Sequence, residues 1–295
     1  RQRNYNHMVE RIVEEIFSRY GDWAMVWFDG GAHGPEQGGP DVLSVFERYQ
    51  PDCLFYHNLQ RADMRWGGSE SGTVPYPCWG TFPYVSTGAG ESAKQEISRN
   101  NFALLKTGDP EGRYYIPAMS DAPLRGNGGH DWFWEPNRED IIYPLDKLVE
   151  MYYKSVGHNT TLILGVTPGP DGLMPGPDVK RLKEFGDEIQ RRFANPVIST
   201  TGRGKKITMK LDKRQIINQL VLMEDIEQGE RVRAFTVQGK TARGWKDLCK
   251  GSCIGHKYII RIQETAVSSL RLVVDRSLKE PLIREFSAYS LINID

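Results

Sequence analysis

The chain has 295 residues, 39% of them apolar, enough to bury a large core and to form one big domain with a smaller one. Its 38 basic and 38 acidic residues cancel, so no net field draws it to nucleic acid or to an anionic membrane, and neither is indicated as a partner. No apolar run approaches the roughly 20 residues of a membrane span, the N-terminus shows no signal-peptide pattern, and the cysteines make no disulfide framework or zinc-ligand spacing, leaving only Cys249 and Cys253 as a pair that could bond.

In chain order, Met8, Val9, Ile12, Val13, Ile16 and Phe17 form a helical stripe over 5–20 that stops at Gly21. "AMVWF" (24–28) follows as a short apolar strand that runs into Asp29 and two glycines, and similar strands are predicted at "CLFY" (53–56), "YYIPAM" (114–119) and "TLILGV" (161–166). Helical patterns lie between strands and after them, most clearly over 141–156 and 179–192. Such alternation predicts an α/β fold of βα units around a parallel sheet, and the Gly-, Pro- and Trp-rich loops after the strands are where a (β/α)8 barrel keeps its active site. Four strands within 1–195 are half of what a barrel needs, so this region is expected to be the C-terminal half of a (β/α)8 barrel, completed by a missing N-terminal segment or by a partner chain.

Past Asn195 and Pro196 the helical signal ends. "ITMKLD", "INQLVLME", "RVRAFTVQ", "YIIRIQ", "SLRLVVD" and "REFSAYSL" alternate apolar and polar residues, which predicts an all-β sandwich over 196–295, either a buttress or an accessory carbohydrate-binding module. Seven tryptophans and thirteen tyrosines in the whole chain lean the same way, because aromatic faces line sugar sites as well as cores.

Two carboxylates stand out. Asp29, at a strand end before Gly30 and Gly31, is either a turn residue or an active-site group. Glu70 lies in "RWGGSESGTVPYPCW" (65–79), in no helical face pattern, with Trp66 and Trp79 on either side. Two carboxylates on neighbouring βα loops among tryptophans are the parts of a glycosidase, with one ionised nucleophile and one acid kept protonated by apolar surroundings.

Four ordered stretches then resemble the α-L-fucosidases of glycoside hydrolase family twenty-nine: "YGDWAMVWFDGG", "RWGGSESG", "SVGHNTTLILGVTPGPDGLMPGPDVKRLKEFGDEI", and "GERVRAF" with "GSCIGHKYIIRI". The second is similar to a loop of the branch that cuts α-1,3- and α-1,4-linked fucose, with Ser69 where that loop has asparagine. The resemblance implies an exo-acting, retaining α-L-fucosidase in which Asp29 forms the covalent fucosyl-enzyme and Glu70 is the acid/base, with the carboxyls about 5 Å apart. Glu91, in "GAGESAK", competes for the acid/base role. Arg65, Trp66, Trp79 and Trp132 are candidates to contact the sugar, His33 and Glu36 to line the leaving-group side, and His158 and Asn159 to be structural. The family loop corresponding to 117–140 is expected to carry a glutamate where Met119 stands. "NTT" (159–161) is formally a glycosylation sequon, but its entry into a core strand argues against use.

No metal or organic cofactor is implied. The implied partner is a fucosylated oligosaccharide or glycan, and such substrates imply a periplasmic or extracellular location. The alternative function is a catalytically inactive protein that binds fucosylated glycans.

Overall fold

The computed structural model describes residues 1–58, 61–83 and 102–291. They fall into two compact units, one of Arg1–Trp66 with Thr81–Ala118 and one of Gly67–Gly80 with Met119–Asp295. Among the described residues no helix is long and apolar enough to cross a membrane.

In the first unit the amphipathic stripe forms α1 (Gln2–Arg19), which buries Val13 and Phe17. The next strand, β1 (Met25–Ala32), pairs in parallel with β2 (Leu54–Asn58) through the helix α2 (Val42–Tyr49), which is the predicted βαβ order. The Asp41 side chain caps α2 by accepting from Ser44 N at 3.1 Å. One apolar cluster of Val13, Phe17, Val42, Phe46, Cys53 and Phe55 joins both helices to both strands. Gln50, which is buried, fixes the approach to β1. It donates to Phe17 O and Gly21 O at 2.7 and 2.9 Å and accepts from Trp23 N at 3.0 Å.

The strand predicted at 114–119 is divided. Tyr114–Tyr115 (β5) pairs antiparallel with Thr81–Phe82 (β4), and the parallel strand β6 begins only at Ala118 and runs to Pro123. Pro117 separates the two, since a residue without an N–H cannot extend a ladder. The short strand β3 (Arg65–Trp66) and helix α3 (Phe102–Thr107) complete this unit.

In the second unit β6 pairs in parallel with β7 (Thr161–Gly165), from Met119 opposite Thr161 to Pro123 opposite Gly165. Between them lies α4 (Leu145–Lys154), which starts later than the sequence pattern predicts because a 3₁₀ turn at Glu139–Ile141 and then Pro144 precede it. α5 (Gly176–Phe193) follows β7. Ala122, Leu124, Leu148 and Met151 form the core of this layer.

Just past β6, Arg125 makes a bidentate pair with Asp178 in the first turn of α5, at 3.0 and 2.6 Å, with both side chains buried. Breaking such a pair strands a charge in a dry site. Asp178→Ala is therefore expected to lower unfolding stability by about 3 kcal/mol, read as a lower urea midpoint at unchanged m-value.

The C-terminal region is a six-stranded sheet in the order β11-β10-β12-β9-β13-β8, formed by β8 (Ile198–Arg203), β9 (Lys206–Glu224), β10 (Val232–Thr241), β11 (Gly244–Gly251), β12 (Tyr258–Ser277) and β13 (Leu282–Tyr289). Where separate short strands are predicted, the ladder is continuous. "ITMKLD" and "INQLVLME" are one strand, and so are "YIIRIQ" and "SLRLVVD". The polar run Asp212–Gln215 contains no glycine or proline to turn the chain, so Gln215, Ile216 and Ile217 stay paired with Val267, Ala266 and Thr265, and the ladder only shifts register on either side. Both halves of β9 still feed one core, from Ile207 and Met209 to Leu220 and Leu222. Cys249 and Cys253 are free thiols, so the pair that the sequence allows is not formed. Cys253 is buried and gives its hydrogen to Cys78 O at 3.3 Å.

Candidate active site

Asp29 is exposed near the C-terminal end of β1, and it lines a cavity of about 440 Å³ together with Gln2, Tyr5, Trp27, His33 and Pro40, among others. Its backbone is set by the strand in front of it: Val26 and Trp27 are in register with Phe55 and Tyr56, and Phe28 packs on Phe55 at 5.5 Å between ring centroids. The loop beyond it closes on itself. A Cβ on Gly39 would lie 1.9 Å from His33 O, so only glycine lets the chain return past His33. Glu36 sits exposed on the 3₁₀ turn Pro35–Gln37 of that loop and is not among the cavity-lining residues.

Glu70 belongs to the loop 67–80 of the second unit, whose backbone is hung on its neighbours. Gly67 N donates to Met119 O at 2.7 Å, Gly72 N to Asp121 O at 2.8 Å and Val74 N to Lys154 O at 2.9 Å. A Cβ on Gly67 would meet Met119 O at 2.6 Å, which explains the glycine next to Trp66. Farther along, Tyr76 stacks on Tyr258 at 4.2 Å and its hydroxyl accepts from Ser252 N and Cys253 N, while the Glu230 carboxylate accepts from Gly80 N at 2.9 Å and from Asn159 Nδ2 at 2.6 Å. The far end of the loop is thereby tied to the β-sheet region.

The Glu70 side chain is only part-covered and takes its partners on one oxygen. His130 Nε2 contacts Oε2 closely, and Trp132 Nε1 donates to the same Oε2 at 3.0 Å. These contacts, His130 first, hold the Glu70 carboxyl below its ordinary pKa, against the smaller opposing effect of burial. The sequence leads one to expect an acid kept protonated by apolar surroundings; the structure instead places two partners on one oxygen of Glu70, and they favour the charged form. Trp132, placed on sequence grounds as a sugar contact, thus lies beside Glu70, and His130 is the neighbour that sequence reading misses. The available signal was a histidine two residues before that tryptophan in "GGHDWFW".

Trp132 is itself wedged. Its main-chain carbonyl accepts from Thr167 Oγ1 at 2.8 Å, and a Cβ on Gly165 would come within 2.5 Å of its ring. Gly165→Ala should therefore push the indole off Glu70. The expected result is a change in indole fluorescence reporting the displaced ring.

The other candidates divide between surface and core. Arg65 is completely buried, donates to Leu105 O at 2.9 Å and to Ile116 O, and stacks its guanidinium over Phe82 at 5.3 Å. Trp66 packs part-buried on Phe82, Leu105 and Ile116, and Trp79 is buried under the Arg233 guanidinium at 4.7 Å. Met119 is fully buried on β6, an apolar core position rather than a place for the expected glutamate. Asn159 is buried with φ 69° and uses its amide on Cys78 O, Glu230 and His256 N, as a structural residue does, which also leaves the sequon's nitrogen no room for a glycan. His158 Nδ1 contacts Val74 O at 2.9 Å, and burial pushes its pKa down. Glu91 lies outside the described residues. The structure thus brings Asp29 together with His33 in the first unit, and Glu70 together with Trp132 in the second.

A sequence profile described as alpha-L-fucosidase matches residues 1–192, a span that holds Asp29, Glu70, His130 and Trp132. The chain belongs to the alpha-L-fucosidase family. Alpha-L-fucosidase 1 of Arabidopsis thaliana is 26% identical over 97% of this chain and 62% of its own length. Among solved structures, a candidate alpha-L-fucosidase from Bacteroides thetaiotaomicron VPI-5482 is 50% identical with a TM-score of 0.92, covering 98% of this chain and 66% of that one. A glycoside hydrolase 29 family member from an unknown rumen bacterium is 25% identical with a TM-score of 0.77, over 97% of this chain and 54% of that one. The chain spans about 60% of the length of the curated relatives it matches.

Proposed function

We propose that the protein is an exo-acting, retaining α-L-fucosidase that releases terminal α-1,3- or α-1,4-linked L-fucose from glycans. The observation that carries this reading is the family match across residues 1–192, which contains both Asp29 and Glu70. In the first step the Asp29 carboxylate attacks the anomeric carbon, the bond to the leaving oxygen breaks, and Glu70 gives that oxygen its proton. In the second, Glu70 takes a proton from water, the water oxygen attacks the same carbon, and the ester to Asp29 is released.

His33 and Glu36 line the leaving-group side in this reading, and Trp66 and Trp132 bear on the sugar. Arg65 and Trp79, both buried, serve as supports under the sugar-binding loops. Residues 1–195 contribute the C-terminal strands of a (β/α)8-type catalytic domain, a reading supported by two parallel βαβ connections and by a family match that ends at 192; residues 196–295 are an accessory β-domain. Substrates of this kind place the protein in the periplasm or outside the cell. The test is a product assay of the full chain on a nitrophenyl α-L-fucoside and on a panel of fucosylated oligosaccharides. Free L-fucose, released first as the α-anomer, is the expected result; glycan binding without release would replace this reading with that of a silent sugar-binding protein.

A further inference from the structure

The contact between Glu70 and His130 sets a condition that the reaction scheme leaves unused. Nε2 of a histidine and Oε2 of a carboxylate are both acceptors unless one carries a proton, so a hydrogen bond between them places a proton on that line. Trp132 Nε1, 3.0 Å from the same Oε2 and 3.1 Å from His130 Nε2, stands edge-on to the imidazole with ring centroids 5.9 Å apart at 89°. Both donors therefore fall on one oxygen of Glu70. Oε1 has no such partner among the described residues and is the oxygen left for a substrate.

The loop that carries His130 is held from behind. Asp131 N donates to Arg125 O at 3.2 Å, the Asp131 carboxylate pairs with Arg138 at 3.3 Å, and Arg125 is locked to Asp178. Charged groups on the neighbouring elements are thus turned to one another or, like Asp171, to their own loop, where it accepts from Leu173 N at 3.0 Å. Among the described residues, His130 is the titratable group in hydrogen-bond contact with Glu70.

We propose that His130 is a positioning residue for the acid/base carboxylate: by holding Oε2 it turns Oε1 toward the leaving oxygen and sets the pH at which Glu70 gives up its proton. The inference rests on Glu70 being the acid/base. Its proton bookkeeping adds no new species, since the proton that reaches the leaving oxygen still comes from Glu70, and His130 keeps its own.

The experiment uses the full chain and compares His130→Ala, His130→Gln, Glu70→Ala and the double variant Glu70→Ala/His130→Ala. Each is assayed on a nitrophenyl fucoside and on a fucosyl disaccharide. His130→Ala is expected to lose about tenfold in the plateau value of kcat/KM on the disaccharide, on the acid side of the limb, and less than about threefold on the nitrophenyl fucoside, and to move the alkaline limb of the disaccharide pH profile up by about one unit. His130→Gln keeps a donor for Oε2 and should recover most of both effects. In the Glu70→Ala background the loss of His130 should add nothing. His130 is exposed, so thermal unfolding should not move. An unchanged pH profile and leaving-group ratio in His130→Ala, or an equal loss on both substrates that persists without Glu70, would overturn the inference and leave the Glu70 assignment standing. Near-normal cleavage of the disaccharide by Glu70→Ala would overturn both.

Discussion

Replacing Asp29 by alanine in the full chain is expected to lower kcat/KM on the order of 10⁴-fold or more on every fucoside, with good and poor leaving groups alike. The leaving group cannot matter because the bond to the nucleophile is made in the same step in which any leaving group departs. Asp29 is exposed on the wall of a cavity, and what fixes its position is the ladder of β1 with β2 and the packing of Phe28, none of which needs the carboxylate. Stability should therefore stay within about 0.5 kcal/mol of the parent, which separates loss of chemistry from loss of fold. Azide supplies the decisive arm. With the carboxylate gone, azide can enter from the side of the ring that Asp29 would attack, so any rescued product of an α-fucoside should be the inverted β-fucosyl azide. Substantial residual turnover of the nitrophenyl fucoside without azide would remove Asp29 from the nucleophile's place.

The strand that carries Asp29 is legible because its apolar run is local, although β1 continues through Asp29 and the two glycines to Ala32 instead of stopping before them. The same locality made α1, β1, β2, β7 and α5 readable within a few positions. What the sequence obscures is what depends on partners far along the chain. Pro117 splits an apparently single apolar run because the two halves find different neighbours, Tyr114 pairing with Phe82 and Met119 with Thr161. The run Asp212–Gln215 looks like a turn but stays within β9, between ladder pairs to β12 at Lys210 and at Gln215. Arg65, which beside a tryptophan in a loop reads as a sugar contact, is drawn into the core by two carbonyls some 40 and 51 residues later. His130 is hidden for the same reason, since its partner Glu70 is 60 residues earlier and no local pattern joins them.

Glu70→Ala should show a selective defect: kcat/KM on a fucosyl disaccharide falls by about 10³-fold, whereas a nitrophenyl fucoside, whose leaving group needs little protonation, loses far less in its first step. With that substrate the second step becomes limiting, because no base then deprotonates water, and azide, which needs no base, should restore turnover. Here azide meets the fucosyl ester of Asp29, so the product should be the α-fucosyl azide, opposite in configuration to the Asp29→Ala product. The pH dependence follows from the donors on Oε2. They favour the carboxylate and lower the pKa of Glu70 in the free protein, and it is the free protein's pKa that shapes kcat/KM. An acid must hold its proton to act, so kcat/KM on the disaccharide should be greatest on the acid side and fall as pH rises through that lowered pKa. Once a sugar covers the part-exposed carboxyl, desolvation pushes its pKa back up. The alkaline limb of kcat should then lie at higher pH than that of kcat/KM, and in Glu70→Ala the limb assigned to this group should vanish from both. A limb that survives the substitution would assign the proton to a different group, with Glu91 the next carboxylate to test.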